Sequence, residues 1–505
     1  MSAFTTGVRE GVDQVRTSFR NSPAAIRKFV KDPNEAVGGA SVFPLIVLMG
    51  HTFIDAVDGA GFVVILPEIQ KTFDLELDQI SSVGGLALLV SFVLGIPIAV
   101  KSEATTRRTL YLGAGAVVAA VFSLMSAVAM SLGLFLFARS GFGLGLRLND
   151  PVQQSMLSDY YPVSTRSTVF SARDGMTRAG RLVGPIFFGV VTALFGWRAA
   201  LFAIAVPSAV LAYFSFRLHN PVRGAPEREA AGLPPITEEK IVNPPTLRQA
   251  FKILNKIGTV RRLWYSLPFL AGGLIVLAII LPLYMEDEFG LQAASRGFVS
   301  ASGEATAILG LLIATPVMTR YLTGGKPDGV YPFLAILSVL VSVLLFLLAL
   351  APNTAALVAG VMAVNFAGAV LAPALAVLIS MLVPPKVRTI SFATLALWIV
   401  PGLFMLPIAT GVGDEHGLRW AMAMAAPMFL VGALILTTGR KSFVGDLQRA
   451  FQAVADEFAT THVEPEVIEV DPEPVLVDGA PARAVKKAPA QKAPARKSAA
   501  KKAAG

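Results

Sequence analysis

Apolar residues run through this chain in long, nearly unbroken stretches. They do not form the i, i+3, i+4 stripe of a helix with one wet face. Twelve such stretches can be read, at about 43–67, 80–100, 108–130, 132–159, 167–194, 198–216, 264–288, 296–321, 329–351, 354–382, 388–412 and 418–438. Each is bounded by charges, Gly, Pro or Asn, and each is close to or above the ~20 residues that cross a bilayer as helix. Backbone groups in lipid must satisfy one another within the segment, so every stretch is predicted to be an α-helix. The fold class expected is an all-α integral membrane protein with twelve transmembrane helices. Residues 1–42 break the pattern, with several charges and no apolar core of signal-peptide length. Val8, Val12, Val15 and Phe19 fall on one side of a short amphipathic helix there, predicted to lie on the membrane surface.

Composition strengthens this reading. Of 505 residues 54% are hydrophobic and only 15% charged, against roughly 25% charged in an ordinary soluble domain. That excludes a soluble enzyme, a disordered protein and a simple nucleic-acid binder. With no cysteine there is no disulfide framework, thiol nucleophile or Cys-ligated zinc. The net charge of +9 reads as topology. With the N-terminus cytoplasmic, 25 Lys/Arg of residues 1–445 fall in cytoplasmic segments. The outside loops hold 4, Lys71, Arg198, Arg296 and Arg419, and are otherwise acidic, with Glu68, Asp74, Glu76, Asp78, Glu286, Asp287, Glu288, Asp414 and Glu415. By the positive-inside rule both termini are expected in the cytoplasm and the chain in a bacterial plasma membrane. The expected layout is an arm (1–42), a six-helix half (43–216), a polar linker (217–262), a second half (263–440) and a disordered tail (441–505). The tail is acidic first and Lys/Ala/Pro-rich at its end, a solvated polyampholyte whose basic end suits anionic lipid headgroups.

The two halves match each other. Leu66-Pro67, Phe73, Leu75 and Gly95 correspond to Leu281-Pro282, Phe289, Leu291 and Gly310 at an offset of 215 or 216. Pro162 to Arg166 with Phe170 corresponds to Pro385 to Arg388 with Phe392, or to Pro384 in the same Pro-x-x-x-Arg spacing. Gly196, Arg198 and Pro207 correspond to Gly417, Arg419 and Pro427. Ordered matches at near-constant offset indicate a duplicated six-helix unit, which places a substrate cavity between the halves near the bilayer midplane.

Three further motifs carry a family resemblance. The fourth span reads Arg139-Ser-Gly141-Phe-Gly143-Leu-Gly145, the fifth reads Gly180-Arg181-Leu-Val-Gly184-Pro185-Ile-Phe-Phe-Gly189, and Gly196-Trp197-Arg198 opens the sixth. In these the chain resembles the major facilitator superfamily over about residues 43–440. The resemblance implies two pseudo-symmetric six-helix halves, alternating access and, from the Gly-Pro run, export. One signature is degraded: after Gly95 the basic pair Arg107-Arg108 comes late, and its acid is absent or displaced to Glu103. The entry to span seven, Thr259-Val-Arg-Arg-Leu-Trp-Tyr-Ser-Leu-Pro268, looks like actinobacterial members often joined to an ABC-type ATPase. No Gly-x-x-x-x-Gly-Lys-Ser/Thr loop is present, so an ATPase partner would be a separate polypeptide.

Ionisable residues at membrane depth cost at least ~2.5–3.5 kcal/mol each on insertion scales and are functional candidates. His51, Asp55 and Asp58, at i, i+4 and i+7, share one stripe of the first span that is expected to face a wet cavity. Span four holds Arg139, Arg147 and Asp150; span five holds Asp174, Arg178 and Arg181; span eight holds Glu304. Asp55, Asp58, His51, Arg139, Arg147 and Glu304 are the candidates for proton coupling, a carboxylate yielding its proton when an arginine or the substrate competes for it. Asp150, Asp174, Arg178 and Arg181 form the expected charge network. The alternative is that Asp–Arg pairs neutralise each other and fix helix packing. Gly141, Gly143, Gly145, Gly180, Gly184, Pro185 and Gly189 are expected to let helices approach and slide, and Pro185, Pro401 and Pro407 to kink spans five and eleven. Phe366, Trp398, Phe404 and Met405 offer an apolar cavity wall. The function expected is secondary transport of a small, amphiphilic or hydrophobic molecule, with protons as the coupling ion and no enzymatic activity, cofactor or metal. The alternative is a membrane subunit or sensor serving a separate ATPase.

Overall fold

The computed structural model describes residues 37–77, 107–162, 165–222, 247–323, 330–383, 397–439 and 442–446, with a few isolated residues between them. The first half comprises α1 (Val42–Phe62), a 3-10 turn (Val63–Ile65), α2 (Leu66–Phe73), α3 (Arg108–Val128), α4 (Leu132–Tyr160), α5 (Arg166–Phe195) and α6 (Trp197–Phe216). A linker helix, α7 (Leu247–Leu254), precedes the second half. That half comprises α8 (Gly258–Asp287), α9 (Ala293–Thr323), α10 (Val330–Ala349), α11 (Thr354–Leu382), a 3-10 turn (Val400–Phe404), α12 (Met405–His416), α13 (Leu418–Ala423) and α14 (Ala425–Thr437). No strand occurs among the described residues, and eight of their helices are long and apolar enough to cross a membrane. Every expected span except the second and the eleventh coincides with described helix, and the eleventh is described from residue 397 onward. The second, 80–100, falls almost wholly outside the described residues, as do the N-terminal arm and the charged tail beyond residue 449.

The duplication is written in the backbone. Gly196 and Gly417 open the last span of each half with matching torsions, φ 83° and 92°, and each donates its N–H to a carbonyl four residues back. Asp74 and Gly290 also occupy one place in the repeat, both left-handed at φ 51° and 62°. Packing repeats as well: α6 lies on α3 as α14 lies on α10. These helices pack through small residues, which let backbones come close where lipid supplies no hydrophobic drive between helices. A β-carbon at Gly145 would strike the backbone of Gly115 and Ala119, and one at Gly273 the ring of Phe429. Pro401 lies in the 3-10 turn and Pro407 in the first turn of α12, while α5 runs unbroken through Pro185.

The second half reaches past the expected boundary at 440. Phe443 is fully buried, and Asp446 accepts hydrogen bonds from the Thr259 N–H (2.7 Å) and hydroxyl (2.8 Å) at the start of α8. Ser442 meets Arg262 there (2.7 Å). Asp446 caps α8 from the far end of the chain, satisfying N–H groups that have no partner in their own helix. Asp446→Ala is expected to lower stability by about 1–2 kcal/mol, read as a lower unfolding temperature, with Asp446→Asn recovering most of it. An unchanged temperature in Asp446→Ala would show that this cap is not formed.

Candidate functional site

The charges of the first half separate into two groups. Arg139 on α4 reaches Asp58 on α1 with two hydrogen bonds, Nη2 to Oδ2 at 2.9 Å and Nη1 to Oδ1 at 3.4 Å. Phe62 and Phe142 cover the guanidinium at 3.9 and 4.4 Å. The side chains are 6% and 1% exposed, so the pair is sealed inside the half. Two-point contact and aromatic faces are what a desolvated guanidinium requires. His51 lies apart, its Nε2 2.7 Å from the Ser215 hydroxyl of α6, also buried. The expectation that the whole stripe faces one wet cavity is therefore corrected. His51 and Asp58 turn inward to neighbouring helices, and Asp55 between them is half-buried. The side chains of Arg147 and Asp150 lie outside the described residues, although both positions fall on α4.

The second group joins the halves. α5 crosses α9 at backbone contact: a β-carbon at Gly297 would collide with the Pro185 carbonyl, and one at Gly189 with the Ala293 carbonyl. One turn from Pro185 along α5 stands Arg181, and two turns from Gly297 along α9 stands Glu304. Their Nη1 and Oε1 are 3.8 Å apart, with Arg181 half exposed at 51% and Glu304 at 17%. Arg178 lies in the field of Arg181, Glu304 and Asp174, and 174, 178 and 181 share one face of α5. An arginine this exposed at the depth of a crossing helix is tolerated in a water-filled cleft and not in lipid.

The expected gating residues divide in the same way. Gly141 packs on Phe122 and Gly145 on the α3 backbone; Gly180 and Gly184 pack on Phe53 and Val57 of α1. These contacts hold one half together. Gly143 is half-buried on α4. Pro185 and Gly189 alone among the seven touch the other half in the described contacts.

A third cluster, at the end carrying the acidic loops, was not foreseen. Arg296, expected in a loop, is buried in the first turn of α9. It pairs with Glu68 of α2 and with Glu286 of α8 (3.2 Å), and donates to the carbonyls of Leu291 (2.8 Å) and Val64 (3.3 Å). Lys71 of α2 also pairs with Glu286. Lys71 and Glu286 are 215 residues apart, the repeat offset itself. Equivalent residues that touch lie on the pseudo-twofold axis, so opposite charge at equivalent positions was the available signal. Of the late basic pair, Arg108 also finds a partner on another helix. Arg108 is buried against Asp159 of α4, Ser155 (2.8 Å) and the Pro221 carbonyl, so α4 supplies its counter-ion.

The residues of the expected apolar wall have the following neighbours. Trp398 stacks on Trp264 (5.6 Å) and meets Tyr265 edge-on, Met405 packs against Gly272 of α8, Phe366 backs onto Gly310 of α9, and Phe404 is 65% exposed.

The family model described as Major Facilitator Superfamily matches residues 48–327 and 269–466. No curated protein sequence matches the chain. Among solved structures it is similar to a bacterial homolog of the human lysosomal transporter Spinster in an inward-facing, unoccupied conformation. There the TM-score is 0.64 at 16% identity, covering 81% of this chain and 97% of that one. It is also similar to a D-xylose-proton symporter (TM-score 0.60, 14% identity, 78% and 96% covered) and to a peptide transporter POT in complex with sulfate (0.59, 14%, 80% and 95%). With matches spanning most of its length and a doubled six-helix architecture, the chain belongs to the major facilitator superfamily and is a multi-span membrane transporter.

Proposed function

We propose that the chain is a proton-coupled secondary carrier of a small amphiphilic or hydrophobic molecule, with Glu304 as the coupling carboxylate and Arg181 as its partner. The observation that carries this is the placement of the pair: it bridges the two halves directly beneath the α5–α9 crossing, with Arg181 half exposed. Alternating access must open and close that crossing, so the pair breaks and forms with each cycle. A carboxylate stripped of its cation in a cleft of low dielectric holds a proton, and one beside its cation releases it. Asp58, sealed with Arg139, serves as a fixed pin between α1 and α4 and does not carry the transported proton.

The test uses everted membrane vesicles energised to hold a proton gradient and given radiolabelled anionic, cationic and neutral amphiphiles. At least one should accumulate or be extruded, in a sense the vesicles report directly, and a protonophore should abolish the effect. Glu304→Gln should still permit downhill exchange but lose all gradient-driven movement. If transport instead requires an added ATPase and ATP, the chain is a subunit of such a system and this reading fails.

A further inference from the structure

We infer that the cleft beneath the α5–α9 crossing is a receptor for an anionic headgroup, bound by the guanidiniums of Arg181 and Arg178. This rests on the carrier reading above and names the cargo class of the same site. Three observations support it. Arg181 is 51% exposed and Glu304 17%, so a ligand entering the cleft meets the guanidinium first. The 3.8 Å separation leaves the pair without a tight hydrogen bond, so Arg181 keeps most of its five donors for a ligand. Arg178 stands one turn away on the same face, in the field of Arg181. Two planar forks one turn apart suit the oxygens of a carboxylate, sulfonate or phosphate, which an arginine binds at two points. The apolar remainder of the cargo would follow the cleft between helices whose other residues are largely hydrocarbon.

The consequence is a sense of coupling. An anion that occupies Arg181 displaces Glu304. Arg178 of α5 then lies in the field of both Glu304 and Asp174, and among the described residues α11 brings the Asn365 amide beside Gly303. Glu304 takes up a proton as the anion binds, and the two cross together. Export driven by proton entry, as the Gly-Pro run implies, would require a cargo that competes for Glu304 instead.

The test is a binding measurement on the full chain in nanodiscs of neutral lipid, with octyl phosphate, octyltrimethylammonium and octyl glucoside below their micellar concentrations and empty nanodiscs as blank. Octyl phosphate should bind at least tenfold tighter than the other two. Arg181→Gln should weaken it at least tenfold, and Glu304→Gln, which removes the internal competitor, should tighten it several-fold. Both variants should keep the wild-type unfolding temperature within a few degrees. Equal binding of the three probes, preference for the cation, or an unchanged affinity in a folded Arg181→Gln protein would each overturn the proposal. Transport could still be proton-driven in any of those cases, so loss of this inference and loss of the carrier reading are read separately.

Discussion

Asp58→Ala is expected to destabilise the first half by about 3–5 kcal/mol, because it leaves the Arg139 guanidinium buried without its counter-ion. The pair is almost fully removed from solvent, so water cannot enter to replace the carboxylate. Phe62 and Phe142 lie over the guanidinium faces, and aromatic faces do not substitute for two charge-assisted hydrogen bonds. The expected result is a large drop in unfolding temperature and poor recovery from the membrane. The converse is equally specific. Replacing both partners, as Asp58→Leu with Arg139→Met, removes the desolvation penalty together with the attraction and should restore most of the loss, since buried pairs exchange for hydrocarbon at little net change. A double variant as unstable as the single one would show that the pair is individually required for stability. Asp58→Asn supplies the functional half of the test. If that protein is folded and yet loses proton coupling, Asp58 rather than Glu304 carries the proton.

The second large effect is expected at Gly297. Gly297→Val places a branched side chain where even a β-carbon collides with the Pro185 carbonyl. Neither backbone can yield, since each belongs to a long helix, and overpacking of this kind commonly costs about 1–3 kcal/mol. Relief comes by separating α5 from α9, so the penalty falls on the closed arrangement and not on the fold of either half. Transport should fall to background while the protein remains folded. The absence of cysteine makes closure measurable. Lys71→Cys with Glu286→Cys, joined by a short bifunctional reagent, should cross-link in the parent and much less with Gly297→Val. Gly175→Ala, whose added β-carbon meets nothing within 4 Å, is the matched control. Wild-type transport by Gly297→Val would show that the halves do not close through this crossing.

The two ion pairs, Asp58–Arg139 and Glu304–Arg181, mark how far the chain is legible before folding. Asp58 and Arg139 were both singled out because charge at membrane depth is conspicuous in any linear reading. That they seal each other off, while His51 turns to Ser215, depends on the rotation of α1 against α4 and α6. A stripe at i, i+4, i+7 specifies one side of a helix but not what stands opposite. Glu304 and Arg181 were both candidates as well. Their meeting across the halves was hidden, because they lie more than a hundred residues apart and belong to different units of the repeat. Arg296 was read as a loop charge, since it begins a span, and its burial against Glu68 comes from the way α9 starts beside α2. The expected apolar wall shows the limit of hydropathy alone. Trp398 and Met405 are apolar wherever they point, and apolar residues are equally at home against lipid, a cavity or a neighbouring helix.

What the amino-acid order determines by itself is the element content. Backbone groups cannot stay unpaired in hydrocarbon, so stretches such as 330–349 or 354–371 have no alternative to helix. It determines the duplication too, because repeated Gly and Pro positions impose the same turns at Gly196 and Gly417. What only the tertiary structure decided is which charges meet. A membrane helix buries apolar residues all round and is held at no particular rotation by hydrophobicity. Its rotation is set by where small residues such as Gly184 and Gly297 let backbones touch, and that contact brings Arg181 to Glu304 beneath the crossing while leaving Asp58 sealed with Arg139.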